Sequence, residues 1–306
     1  MRLTAAANGM FVISATPFTD AGALDLDSTA SLMDFYTGCG VTGATILGIM
    51  GEAPKLAGDE SMTFVKACLA RLKVPIIVGA SAAGLDNLVA FSKKVMDAGA
   101  AGVMVAPPAG LKTDEQVYGY FEQVAAGLKG IPWVLQDFPA VTTVFMSVPL
   151  IVKMIADFPD IVMLKHEDWP GNNKITRLRD AEVQGERRVS ILIGNGGAQY
   201  SQLLERGVDG AMTGFAYPEL LVKTYDLFKA GKLDAAEDVF DACLPLIMQE
   251  MQPGLGLAVR KYALMKRGAI KCDRVRAPGP RLTPKDRAEV ERLMARLEAR
   301  IKQLDH

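Results

Sequence analysis

The chain has 306 residues, half of them hydrophobic and 23% charged, with a formal net charge of −1. That balance predicts a large packed core and gives no basic surplus for a nucleic acid, and no apolar run approaches membrane-spanning length. The four cysteines, Cys39, Cys68, Cys243 and Cys272, lie far apart without a C-x-x-C pair, which argues against a disulfide framework and against zinc. The amino end, 1–9, lacks the charged-then-apolar layout of a secretory signal, so a cytoplasmic, reducing setting is expected.

Short apolar, β-branched segments recur at 11–18, 43–48, 75–81, 102–108, 133–139, 161–166, 191–196 and 210–215. Their starts fall 19 to 32 residues apart, the span of one strand and one returning helix. Helical patterns fill the gaps, among them 26–39, 59–72, 85–98 and 113–128, with Asp59 and Thr113 as expected N-caps and a capping box from Thr113 to Gln116. The strands read as continuous apolar runs, which suits a parallel sheet covered on both faces. Eight such units predict an α/β fold of the (β/α)8 type, a TIM barrel, over 1–217. An open doubly wound sheet would show a glycine fingerprint after its first strand, and here that strand ends Ala15-Thr16-Pro17-Phe18.

After residue 217 the strands stop. Four helical patterns at 218–230, 233–251, 255–267 and 284–304 predict a C-terminal helical extension, a second unit over 218–306. Basic residues cluster there among acids, as on a solvated helical face; Arg274, Arg276 and Arg281 are read as surface charge.

Barrel active sites lie at the carboxyl ends of the strands, which selects a short set of residues. Strand 2 delivers Gly48-Ile49-Met50-Gly51-Glu52, strand 5 Gln136-Asp137-Phe138-Pro139, and strand 6 Lys165-His166-Glu167. Strands 7 and 8 deliver Gly194-Asn195-Gly196-Gly197 and Thr213-Gly214. Lys165 ends the apolar run Ile161-Val162-Met163-Leu164, in a mouth expected to be mainly glycine and apolar groups. Desolvation there would favour the neutral amine, a nucleophile suited to a carbonyl substrate. Glycines at 48 and 51 would let backbone N–H groups approach a carboxylate, although an ordinary tight turn explains them equally well.

These residues carry a resemblance that spans nearly the whole chain. Thr16-Pro17-Phe18, the G-x-x-G-E loop at Gly48–Glu52, the strand-6 lysine, Gly194, and the G-x-x-x-G at Gly210–Gly214 together resemble the dihydrodipicolinate synthase / N-acetylneuraminate lyase family of Schiff-base aldolases. The resemblance implies an imine between Lys165 and a 2-keto acid such as pyruvate, with backbone amides near Ile49, Met50 and Gly51 holding the carboxylate. It implies no metal or organic cofactor, and a homo-oligomer, a tetramer built from dimers or a dimer.

The departures are informative. The family carries hydroxyl residues where this chain has Ile49 and Met50, and a tyrosine that shuttles protons where it has Gln136; an amide cannot act as an acid or base. Dihydrodipicolinate synthases tend to keep an arginine where this chain reads Ala140-Val141-Thr142-Thr143, and an aromatic pair where it has Pro107-Pro108-Ala109-Gly110. The Q-D-x-P motif, Lys165 with Glu167 two residues on, Pro170-Gly171-Asn172-Asn173-Lys174 and Gly210-Ala211-Met212-Thr213-Gly214 resemble the 2-keto-3-deoxy sugar-acid dehydratase branch.

The expected catalytic set is therefore Lys165, Glu167 and Gln136, and the expected substrate-binding set Ile49, Met50, Gly51, Asp137, Gly194 and Met212. Glu167 is the first choice of base, with Asp137 or Glu52 behind it, although Glu52 is better placed to cap a helix. His166 should point away from Lys165 by strand alternation. Tyr118, Tyr120 and Phe121 are read as core or interface. Three other readings stay open: pyruvate condensation, a barrel that binds a keto acid without turnover, and a phosphate-handling barrel using the glycine loops after strands 7 and 8.

Overall fold

The computed structural model describes residues 1–169 and 171–304. Pro170, quoted above in the resemblance, and the last two residues of the predicted 218–306 unit lie outside the described residues. Eight parallel strands form one closed barrel in sequence order: β1 Gly9–Ile13, β2 Gly43–Ile46, β3 Ile76–Gly79, β4 Gly102–Val105, β5 Trp133–Asp137, β6 Ile161–His166, β7 Ser190–Ile193 and β8 Gly210–Thr213. Each matches a predicted segment, but most end earlier than the apolar runs do. Residues 14–18 are buried without belonging to the β1 ladder, because C-terminal helices cover them; Lys261 lies over the Phe18 ring at 4.6 Å.

The helices between strands are α1 Leu26–Gly38, α2 Gly58–Arg71, α3 Leu85–Asp97, α4 Asp114–Gly127, the short α5 Pro139–Thr142, α6 Val148–Asp157, α7 Asn172–Val183 and α8 Tyr200–Glu205. Thr113 caps α4 as expected, accepting from the Gln116 amide in a capping box. The expected Asp59 cap is corrected: α2 starts at Gly58, Ala57 is the N-cap, and the Glu60 carboxylate takes the Ala57 N–H at 3.1 Å.

Two apolar layers follow from the period of two along each strand. Phe11, Ile13, Ile77, Met104, Val134, Met163, Leu192 and Met212 pack together inside the barrel. Their strand neighbours, such as Val12, Val78, Val105, Leu135 and Leu164, pack outward against the helices. The inner layer sets the site: two residues beyond Val134 comes Gln136, two beyond Met163 comes Lys165, and two beyond that Glu167. Gln136 and Lys165 are register partners in the β5–β6 ladder, which brings both to the same height.

Four helices follow: α9 Pro218–Lys229, α10 Leu233–Glu250, α11 Gly256–Lys266 and α12 Pro284–Leu304. Helix α9 packs on β1 and completes the helical ring, while α10 packs against α8, α9, α11 and α12. The end of α10 and the start of α11 reach over the carboxyl ends of the strands. Among the described residues no helix is long and apolar enough to cross a membrane, and no group of three or more His, Cys, Asp or Glu side chains could hold a metal ion.

Candidate active site

A cavity of about 370 Å³ opens at the carboxyl end of the barrel. Lys165 and Glu167 from β6 and its loop, Gln136 from β5 and Met212 from β8 line it, as do Ile49 and Met50 after β2. Three polar side chains meet at one point. The Gln136 amide Nε2 donates to Glu167 Oε2 at 2.7 Å, and Lys165 Nζ stands 3.1 Å from the same oxygen. Gln136, Lys165 and Glu167 are all about 95% buried. Lys165 is buried, as expected, but the expectation of a mouth made mainly of glycine and apolar groups is corrected: a carboxylate stands beside the amine and offsets its charge. The same carboxylate oxygen stands within hydrogen-bond reach of both the amine and the Gln136 amide.

Glu167 is held from three sides. Gln136 fixes one oxygen, the Asn195 Nδ2 donates to the Glu167 carbonyl at 3.0 Å, and Gly194 leaves room for the carboxyl group. Gly194 therefore supports Glu167 and is not itself among the residues lining the cavity.

Alternation separates the neighbours. His166 points outward, as expected, with Nδ1 3.4 Å from Asp137 Oδ2. Asp137 points outward with it. Its buried carboxylate accepts from Lys174 Nζ at 2.6 Å, and Lys174 also bonds Asp168 at 3.0 Å. The expectation that Asp137 binds substrate, or acts as a reserve base, is not met: the structure keeps Asp137 behind the barrel wall, away from the cavity.

The loop after β2 is a tight 3-10 turn, Ile49–Gly51. Of the three amides expected to hold a carboxylate, that of Gly51 is already bonded to the Gly48 carbonyl at 2.9 Å, and its own carbonyl accepts from the Thr16 hydroxyl at 2.6 Å. Ile49 and Met50 open the turn, where amides have no acceptor inside it, and they line the cavity. Glu52 faces away from the cavity. It is buried against Lys261 at 2.5 Å and Lys55 at 2.9 Å, and accepts from the Arg276 amide. It is a tether for the C-terminal segment rather than a base. Leu47, Glu52, Thr143 and Asn195, the non-glycine residues with positive φ among those described, all lie in loops after strands 2, 5 and 7, so backbone strain gathers at this end of the barrel.

The sequence reading missed the far wall. Glu250 at the end of α10 and Arg260 on α11 line the cavity beside Thr213, Gly214 and Met251. Both are nearly fully buried, and Arg260 Nε donates to Glu250 Oε2 at 2.6 Å, while Glu250 Oε1 accepts from the Ala216 amide at 3.0 Å. Burial pushes the Glu250 carboxyl above the usual carboxylate range even though Arg260 pulls it down. A signal existed: Arg260 and Lys261 stand side by side within the apolar run from Leu257 to Met265.

The dihydrodipicolinate synthetase family model matches residues 6–299. The chain belongs to this family. Its members are lyases that work through a lysine Schiff base. The L-2-keto-3-deoxyarabonate dehydratase of Azospirillum brasilense is 29% identical over 303 residues, covering 95% of this chain and 94% of that protein. A crystal structure of a dihydrodipicolinate synthase from Rhodopseudomonas palustris superposes with a TM-score of 0.95 at 47% identity, covering 97% of this chain and 99% of that one. The sialic acid aldolase of Ruminococcus gnavus, at 19% identity and a TM-score of 0.89 over 99% of this chain and 100% of that one, shares the fold.

Proposed function

We propose that this family member is a dehydratase or aldolase of a 2-keto-3-deoxy sugar acid, with Lys165 as the imine-forming lysine and Glu167 as the proton carrier. The observation that carries the reading is the shared oxygen: Lys165 Nζ and Gln136 Nε2 converge on Glu167 Oε2 inside one buried cavity. A tyrosine is not needed where a carboxylate already touches the amine.

The steps balance with these groups alone. Glu167 takes the ammonium proton, Lys165 Nζ attacks the C2 ketone, and the proton returns to the departing water, leaving an iminium and a carboxylate. The iminium acidifies C3, and Glu167 removes that proton. For dehydration, the C4 hydroxyl leaves with the proton now on Glu167, giving an unsaturated iminium that water hydrolyses to free Lys165. For C3–C4 cleavage, Glu167 removes the proton of the C4 hydroxyl instead; the bond breaks to an aldehyde and an enamine, Glu167 returns the proton to C3, and water hydrolyses the iminium to free Lys165. Gln136 cannot titrate; it holds the carboxylate in place. The Ile49 and Met50 amides, which have no acceptor within their turn, support binding of the C1 carboxylate.

Borohydride reduction in the presence of pyruvate or a 2-keto-3-deoxy acid should fix the ligand on the Lys165 peptide. An unmodified Lys165 across a panel of such acids would overturn the assignment. A second reading, condensation of pyruvate with an aldehyde, is favoured by the 47% identity to the Rhodopseudomonas palustris structure. Product analysis separates the two: dehydration or cleavage consumes one acid, whereas condensation requires a co-substrate.

A further inference from the structure

We propose that Arg260 reads the distal hydroxyl oxygens of the substrate, and so selects polyhydroxylated 2-keto acids over pyruvate alone and over anionic tails. The inference rests on Lys165 as the anchoring end of the substrate.

The guanidinium commits Nε to Glu250, yet its buried Nη1 has no acceptor among the described residues. A buried cationic donor without an acceptor is costly, and a small turn of the guanidinium toward the cavity that the side chain lines would let a ligand oxygen relieve it. Gly214 makes the position possible, since a Cβ there would lie 1.9 Å from Nη1. Arg260 packs over the end of β8 and Lys165 stands next to the last residue of β6, with β7 between them. Two strand spacings of about 4.8 Å put the two walls roughly 10 Å apart along the barrel. Pyruvate held at Lys165 is too short for that interval, whereas a five- or six-carbon acid extends toward it.

Charge decides what the far wall accepts. Glu250 sits against Arg260 in the same cavity wall, so the pair presents donors with little net positive charge. A phosphate or second carboxylate arriving there would meet the Glu250 carboxylate, with its remaining oxygen held by the Ala216 amide. Neutral hydroxyl oxygens can accept from the guanidinium without that repulsion. The glycine loops after β7 and β8, which suggested phosphate handling, border this same wall.

The test compares the wild-type protein with Arg260→Lys and with the double variant Glu250→Gln/Arg260→Gln, which keeps a hydrogen-bonding pair without charge. Thermal melting checks that each variant is folded. Calorimetry measures binding of pyruvate, of five- and six-carbon 2-keto-3-deoxy acids, and of inorganic phosphate. Loss of a hydrogen bond to a charged group predicts affinity for the longer acids about 10- to 100-fold weaker in both variants, with a smaller change for pyruvate. Equal losses for pyruvate and the longer acids would show a merely structural role and overturn the proposal. So would unchanged affinity for all of them, or wild-type binding of phosphate that the variants lose. If borohydride leaves wild-type Lys165 unmodified, the Schiff-base reading fails on its own, and calorimetry of the longer acids still decides the role of Arg260.

Discussion

Gly194 and Glu167 occupy interlocking volumes: a Cβ on Gly194 would lie 2.3 Å from both Cγ and Oε1 of Glu167. The glycine's φ is −103°, so it is not there to make a left-handed turn, and its missing Cβ leaves room for the carboxylate. Gly194→Ala should therefore push Glu167 off Lys165. Because a small misplacement of a proton carrier is expensive, turnover should fall by about 100-fold or more. Steady-state kinetics beside a melting curve would check this; an unchanged kcat would mean that Glu167 is free to move.

Glu167→Gln keeps the size of the side chain and removes its ability to carry a proton. Turnover should drop by about 10²- to 10⁴-fold, the usual contribution of a positioned acid or base. Borohydride should still trap pyruvate on Lys165, more slowly, because the amine loses its proton acceptor but not its access. Full activity in this variant would move the proton transfer to another group.

Lys261 is wholly buried and bonded to Glu52, to the Thr16 carbonyl at 2.7 Å and to the Arg274 carbonyl at 2.8 Å. Burial lowers its pKa, against the pull of Glu52. Lys261→Met would leave Glu52 buried with only Lys55 and the Arg276 amide beside it. Removing one partner of a buried pair costs about 3–5 kcal/mol, which denaturant unfolding would register. The exposed Lys271–Asp27 pair is the control, and Lys271→Met should leave the unfolding midpoint nearly unchanged.

Glu60 accepts from both terminal nitrogens of Arg276, and this holds its carboxyl down to about 2 from an ordinary value of 4.5. A carboxyl whose pKa is depressed by folding stabilises the folded state above its unfolded pKa. That contribution is complete above about pH 4.5 and lost as the pH falls toward 2. The stability gap between wild type and Glu60→Gln should be widest near neutrality and shrink across that acid window. A gap that stayed constant from pH 6 to pH 3 would contradict the linkage.

The barrel was legible because its strands are buried on both faces and therefore continuous in hydrophobicity. Their carboxyl ends were not, since residues such as Ala15 to Phe18 owe their burial to α11 and its neighbours rather than to a ladder. Lys165 and Glu167 could be read as one pair from alternation alone. Applying the same rule to β5 turns Asp137 outward once Gln136 points in, yet its acidity suggested a role inside. Glu250 and Arg260 were hidden for a different reason: they reach the cavity from helices far along the chain, and no local spacing ties them to β6 or β8. Only the adjacent charges Arg260 and Lys261, set in the apolar run from Leu257 to Met265, marked this wall.

Arg260 and Lys261 are adjacent on α11, and they do opposite jobs. One faces the chamber where substrate would rest; the other plugs into the rim loop after β2 through Glu52. Transplanting the cylinder of strands without its tail would remove a wall from the chamber and strand an acid in the rim. Selectivity in this molecule is thus inherited through its carboxyl-terminal appendage, and engineering either part requires keeping both.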